Sequence, residues 1–281
     1  MKHFAGMASK NILFLFFMGL CSMIYGQECN SCSKFYYSFC NQSDSLDVNS
    51  KTSHVFILMK KKDSTLFTDI QNKKADSLEA VIWADYKRTK SGTISYKGVP
   101  NAKYKYYISK DLSKPTNEIK VYDKIGTGNF MYTDDTKLQW ELVDEKKQIA
   151  GFSCQKAQTF AFGRKFVAWF TTEIPISDGP YKFRGLPGLI VELYDDKKYF
   201  VFSLIRHLKN DNDAVIILPE LRTRKLIETT KEKFVNAKKS HREGLVARIK
   251  NGPFSQEVSN ERIKQIQDNL KKNNNQIELS L

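Results

Sequence analysis

From His54 onward the chain reads as short apolar segments cut apart by charges and turn residues. His54 to Met59 is apolar through Val55, Phe56, Ile57 and Leu58, and it stops at Lys60-Lys61-Lys62-Asp63. Residues 69–83 hold Ile70, Leu78, Val81, Ile82 and Trp83 around a polar middle, which predicts a loop or short helix. Residues 93–96, 104–108 and 119–122 are short and rich in β-branched and aromatic side chains. Gly92, Gly98-Val99-Pro100 and Lys114-Pro115 separate them. Leu138-Gln139-Trp140-Glu141-Leu142 alternates apolar and polar positions, as a half-buried strand does.

The clearest hairpin follows. Residues 157–162 and 166–170 flank Gly163-Arg164, and Gly at the first central position signals a type II′ turn. Phe160 and Phe162 share one face of the first strand; Phe166, Ala168 and Phe170 share one face of the second. Next come Ile174-Pro175, the turn Ser177-Asp178-Gly179-Pro180, and the corner Gly185-Leu186-Pro187-Gly188. The apolar run 189–193 leads out of that corner. Pro187 fixes its own φ and pushes Leu186 toward an extended conformation, so Gly188 is expected at positive φ in a type II turn. Asp195-Asp196 makes the next turn, and residues 199–204 return as an apolar strand.

Short strands with turns about every ten residues predict a mainly β fold, an antiparallel curved sheet or open half-barrel. No strand–helix alternation points to a nucleotide-binding α/β fold. From about Leu218 helix formers take over, with Leu221, Leu226, Ile227, Phe234, Val235 and Ala237 at helical spacing. The expected organisation is a Cys-rich leader over 27–53, an antiparallel β domain over 54–210 and a basic, mostly helical tail over 211–281.

The N-terminus changes the picture by giving an address. Lys2 and Lys10 precede an almost purely apolar stretch, residues 12–20, and small Gly26 ends the segment. This is the layout of an export signal over residues 1–26, cut near Gly26. The apolar stretch is shorter than the roughly 20 residues of a spanning helix. Export to the periplasm, the cell surface or the medium is expected. Loss of two lysines and no acid would lower the net charge from +14 to +12. A chain this basic attracts anionic envelope components, whereas nucleic acid is not expected as a partner outside the cytoplasm.

Four cysteines remain after such a cut: Cys29, Cys32, Cys40 and Cys154. An even count in an exported chain predicts two disulfides, with the pairing open. Cys29-Asn30-Ser31-Cys32 lacks the preceding strand of a redox CxxC and the second ligand pair of a zinc site. No metal and no cofactor is expected.

Tests for catalytic patterns fail. Gly126-Thr127-Gly128 is followed by Met131 where a dinucleotide loop has its third Gly. Gly151-Phe152-Ser153-Cys154-Gln155 has Gln155 where a nucleophile elbow has Gly. His54, His207 and His241 are scattered, and Asp134-Asp135 and Asp195-Asp196 read as turn residues. No catalytic residue is assigned.

Cys154, Ala157, Gly163-Arg164, Ala168-Trp169-Phe170, Ile174-Pro175, Gly179-Pro180 and the run Gly185 to Ile190 come in an order and spacing that resemble the GLPGLI family. That resemblance covers about 151–204. It implies an exported β-rich domain of unknown role, sometimes associated with outer-membrane transport systems, and it supplies no catalytic residues.

The leading functional expectation is non-catalytic binding of an apolar or peptide ligand in the cell envelope. Trp169, Phe183, Arg184 and Glu192 are the candidate contacts, near the mouth of the sheet. The alternative is a structural or interaction module that assists an outer-membrane complex through the basic tail. A hydrolase or thiol enzyme comes third.

Overall fold

The computed structural model describes residues 32–90, 94–113, 118–211, 225–253 and 255–279. The export segment, Cys29, residues 91–93 and the first part of the expected tail, 212–224, lie outside these.

Twelve strands form one sheet in the order β12-β6-β5-β4-β3-β2-β1-β11-β10-β9-β8-β7. One meander runs through β1 (Cys32–Gln42), β2 (Lys51–Lys61), β3 (Ser64–Asp69), β4 (Tyr107–Asp111), β5 (Ile119–Ile125) and β6 (Gly128–Asp134). A second runs through β7 (Glu141–Ile149), β8 (Phe152–Ala161), β9 (Arg164–Thr171), β10 (Leu189–Asp195) and β11 (Phe200–Asp211). Antiparallel pairing of β1 with β11 joins the two. The short β12 (Leu226–Glu228) adds in parallel to β6. The fold is thus mainly β, an open sheet with a few helices.

β1 lies in the middle of the sheet, inside the segment expected as a polar leader. The reason is alternation: Phe35, Tyr37 and Phe39 are buried on one face, while Lys34, Tyr36 and Ser38 point to the other. The Cys and Ser content of the segment hides that period. At the far edge, β7 carries Asp144, Glu145, Lys146 and Lys147, and its pairing with β8 shifts register between Val143 and Lys146. Charges and a bulge are the means by which an edge strand avoids pairing with another chain.

The sheet curls. β6 and β9 are eight strand positions apart, about 38 Å on a flat sheet at roughly 4.8 Å per strand. Yet Lys182 Nζ lies 3.2 Å from the Tyr132 hydroxyl on β6, while the neighbouring Phe183 ring sits 4.6 Å from that of Phe166 on β9. A single segment can touch both only if the two halves face each other. Inner-face side chains of both meanders therefore merge into one core, with Phe39, Phe56, Phe67 and Phe202 forming a cluster of stacked and edge-on rings.

The hairpin forms where expected, but its turn differs. Ala161 pairs with Arg164, so Phe162 and Gly163 are the central residues, with φ of 55° and 77°. Two positive φ values make a type I′ turn, which matches the strand twist.

Among the described residues four α-helices accompany the sheet. In α1 (Ile70–Thr89) the Asp69 carboxylate accepts the Gln71 amide at 2.8 Å, and Lys90 closes the far end in the left-handed region. α2 (Lys231–Glu243) and α4 (Asn260–Lys272) are capped by Thr230 and Ser259, with the short α3 (Leu245–Lys250) between them. Among the described residues no helix is long and apolar enough to cross a membrane.

Candidate functional site

After β9 the chain leaves the sheet and crosses its inner face over residues 172–188 before re-entering as β10. Gly185 and Gly188 serve this crossing for different reasons. Gly185 holds φ at +98°, a conformation that side chains resist. Gly188 is not at positive φ. A Cβ there would lie 2.0 Å from the Thr171 carbonyl oxygen, so glycine is needed for close backbone approach rather than for a type II turn.

The crossing segment brings two charged residues into the core. Lys110 of β4 and Asp178 are fully buried, 2.5 Å apart. The ammonium also donates to the Gly179 carbonyl at 3.0 Å. Burial pushes the Lys110 pKa down, and Asp178 opposes that shift. The second residue, Lys182, is also inside. Its ammonium lies 2.7 Å from Asp134 at the end of β6 and 2.5 Å from Glu278 of the C-terminal segment. Lys231, at the start of α2, approaches both carboxylates, at 3.2 and 3.6 Å. Burial favours loss of the Lys182 proton, but Glu278, Tyr132 and Asp134 outweigh it and hold the ammonium charged. Burial likewise opposes the Asp134 charge. Lys182, Thr136 and Lys231 reverse this, and the carboxyl sits well below its ordinary range. Burial pushes the Tyr132 phenol up to about 12, so it stays protonated.

Residues 273–279, past α4, lie over this cluster. The Arg164 guanidinium, at the start of β9, donates to the Asn275 side-chain oxygen and to the Gln276 carbonyl, each at 2.6 Å. It also stands 3.5 Å from buried Asp195 and 4.9 Å from the Phe200 ring centre. Tyr181 donates its hydroxyl to Glu278. Backbone and amide contacts fix the segment on both sides: Leu279 N to Phe162 O at 2.9 Å, Asn275 N to Ser43 O at 3.1 Å, and Asn275 Nδ2 to Gln42 O at 2.8 Å. The result is a cationic slot of Arg164, Lys182 and Lys231, walled by Tyr181 and Phe162, that holds a peptide segment by its carbonyl, carboxamide and carboxylate groups.

The four candidate contacts divide between two faces. Phe183 is fully buried against Phe166. Arg184 is half-buried, and its carbonyl accepts the Trp140 indole at 2.8 Å. Trp169 and Glu192 are register partners on the outer face. There Lys147 sits 4.2 Å above the Trp169 ring and 3.0 Å from the Glu192 carboxylate, leaving Trp169 only 2% exposed. Of the expected turn acids, Asp195 caps its turn by accepting Phe200 N at 2.8 Å, but Asp134 belongs to the ionic cluster. His207 stacks on Phe35 within β11.

The expected disulfides do not form among Cys32, Cys40 and Cys154. Cys32 and Cys40 are eight residues apart on one extended strand, about 27 Å, far beyond disulfide reach. Cys154 lies on β8, where burial pushes its thiol up to about 11. Cys29 lies outside the described residues. Within them, no group of three or more His, Cys, Asp and Glu gathers to hold a metal ion.

Lys110, Lys182, Lys231 and Glu278 went unnoticed in the sequence. One signal was available for two of them: Lys110 occupies the inward phase of β4 with Ile108, and Lys182 stands between Tyr181 and Phe183.

Comparison with known proteins adds a family match over a short segment and a likeness of fold. Residues 163–192, which run from the hairpin turn through the crossing segment into β10, match a family described as "Protein of unknown function (Porph_ging)". No curated protein matches the chain. Two solved structures, "Structure of PNGF-II in P21 space group" and "Structure of PNGF-II in C2 space group", are similar in fold, with TM-scores of 0.52 and 0.51. Each is 13% identical and covers 75% of this chain. This chain spans only about a third, 34% and 33%, of theirs.

Proposed function

We propose that this chain is an exported, non-catalytic binding protein whose slot takes a short acidic peptide segment, and that its own C-terminal segment is the resident occupant. One observation carries the reading. Residues 275–279 are held by the contacts a peptide receptor uses: a guanidinium on a main-chain carbonyl, an ammonium pair on a carboxylate, and a backbone bond to the rim at Phe162. The chemistry of Lys182 supports binding over reaction. Its carboxylate neighbours hold it protonated at neutral pH, so it is neither a nucleophile nor a base. The N-terminal export pattern supports an envelope location, and the GLPGLI resemblance agrees with it.

The test is to remove residues 273–281, check folding by circular dichroism, and titrate a synthetic peptide of those residues by calorimetry. We expect one-to-one binding that weakens about tenfold or more when the peptide carries Glu278→Gln, the loss typical of a charged hydrogen bond. A folded truncated protein that ignores the peptide would sink the reading.

A further inference from the structure

The Lys110–Asp178 pair takes no part in the peptide slot, and its geometry suits more than charge pairing. The two residues are 68 positions apart in sequence, both side chains are fully buried, and Nζ lies 2.5 Å from Oδ1. The register partners of Lys110, Thr65 on β3 and Ile119 on β5, are buried too, which seals it on both sides along the sheet. Oδ1 also accepts the Gly179 amide at 2.8 Å, and the ammonium donates to the Gly179 carbonyl at 3.0 Å. Oδ2, the other oxygen of the same carboxylate, is buried and accepts no hydrogen bond among the described residues. An oxygen left bare in the core carries a desolvation cost that nothing offsets. Lys182 differs. Asp134 and Glu278 both reach it, Glu278 is partly exposed, and together with Tyr132 they hold its proton.

An amine and a carboxyl held this close and shielded from water are the reactants of an amide. We propose that Lys110 and Asp178 join in an isopeptide bond once the chain has folded, the Nζ–Cγ bond forming as the Cγ–Oδ2 bond breaks and one water leaves. The ion pair is then the precursor. Its ammonium passes one proton to the carboxylate, which leaves an amine facing a carboxylic acid. The nitrogen lone pair adds to Cγ, and the oxyanion that forms on Oδ1 meets the Gly179 amide already aimed at that atom. A second proton moves from nitrogen to the Oδ2 hydroxyl, water departs, and the carbonyl is restored. Atoms and charge balance, and nothing is oxidised or reduced. Burial favours the neutral amine, because it pushes the Lys110 pKa down and Asp178 only opposes that shift. The product leaves no polar atom bare. Oδ1 keeps the Gly179 amide, the new N–H keeps the Gly179 carbonyl, and the orphaned Oδ2 is the atom lost. Two charges also leave the core. The bond ties the crossing segment to β4 and constrains the unfolded chain as a disulfide over the same span would.

Mass spectrometry reads this directly. The exported chain, folded at neutral pH and then denatured and reduced, is expected to be lighter than its sequence by one water. Trypsin is expected to leave Lys110 uncut and to release one branched peptide made of residues 106–120 and 166–182. Fragmentation of that peptide should place the junction at Lys110 and Asp178. Lys110→Arg keeps a cation but has no amine to acylate, so it is expected to show its full mass and no branched peptide. Full mass in the unsubstituted chain would overturn the proposal, whether or not the variant folds. So would a water loss confined to an unbranched peptide 166–182, which marks a succinimide closed by the Gly179 nitrogen on the same carboxyl. A branch that starts at Lys182, or one that persists in Lys110→Arg, would overturn the assignment to this pair.

Discussion

At the scale of single residues, the buried ions and the crossing glycines are where a small change has the largest effect. Lys110→Met removes the ammonium that pairs with Asp178 inside the core, where neither side chain has any exposure. Breaking a buried pair on one side typically costs about 3–5 kcal/mol, and that loss of stability is expected in urea unfolding. Lys110→Met combined with Asp178→Asn removes both charges, so it should recover a large part of the loss. Gly188→Ala makes a different test. The new Cβ would meet the Thr171 carbonyl at 2.0 Å, and backbone cannot swing aside as a side chain does. A cost of about 3 kcal/mol or more is expected, at the upper end of overpacking. If alanine at 188 leaves the unfolding midpoint unchanged, the close approach of β9 to the corner is wrong.

At the scale of elements, β1 and β8 decide the fate of the cysteines. A strand holds Cys32 and Cys40 at a fixed, long separation, and β8 carries Cys154 in the phase of Lys156, where it is buried. With its thiol pushed up to about 11, Cys154 has little thiolate at neutral pH. Alkylation followed by mass spectrometry should therefore leave Cys154 unlabelled in the folded protein and label it fully in denaturant. A Cys154 that stays blocked in denaturant without reductant would mean that it is disulfide-bonded. The strands themselves were largely legible. Segments such as 54–59 and 199–204 alternate or run apolar, and the hairpin around Gly163 announced itself. β1 was not, because its aromatic period is interleaved with Ser and Cys. α1 was read as loop or short helix for a related reason. Its apolar residues do not form one stripe: among its side chains only Asn72 is buried.

At the scale of the whole molecule, the ionic cluster ties four distant parts of the chain together, so its protonation should set the pH range of stability. Asp134 ionises more readily folded than unfolded. Its contribution is complete above the unfolded value, about 3.9, and is lost as pH falls below that toward the folded value. Asp69 and Asp195 act in the opposite sense, because burial raises them despite their hydrogen bonds. Their penalty at neutral pH is relieved as they protonate on the way down to about 4. On the alkaline side, Lys182 is raised, so its contribution is present below the unfolded lysine value, about 10.4, and fades above it. Thermal unfolding against pH should show a stability maximum on the acid side of neutrality and a steep fall below about pH 4. Asp134→Asn should flatten that fall. An unchanged acid limb in this variant would mean that the cluster does not govern acid stability.

The sequence by itself determined the local matters: where most strands lie, that a hairpin turns near Gly163, and that the result is a mainly antiparallel β sheet. These follow from period-two burial and backbone sterics, which act between near neighbours. Only the tertiary structure decided what the inner face holds. Curling of the sheet sets Asp134, Lys182, Lys231 and Glu278 within ion-pair distance although they are up to 144 positions apart. A buried charge carries no mark in the sequence that tells it from a solvated one. Its partners are assigned by the closing of the fold, when an unpaired charge in the core would be too costly to keep.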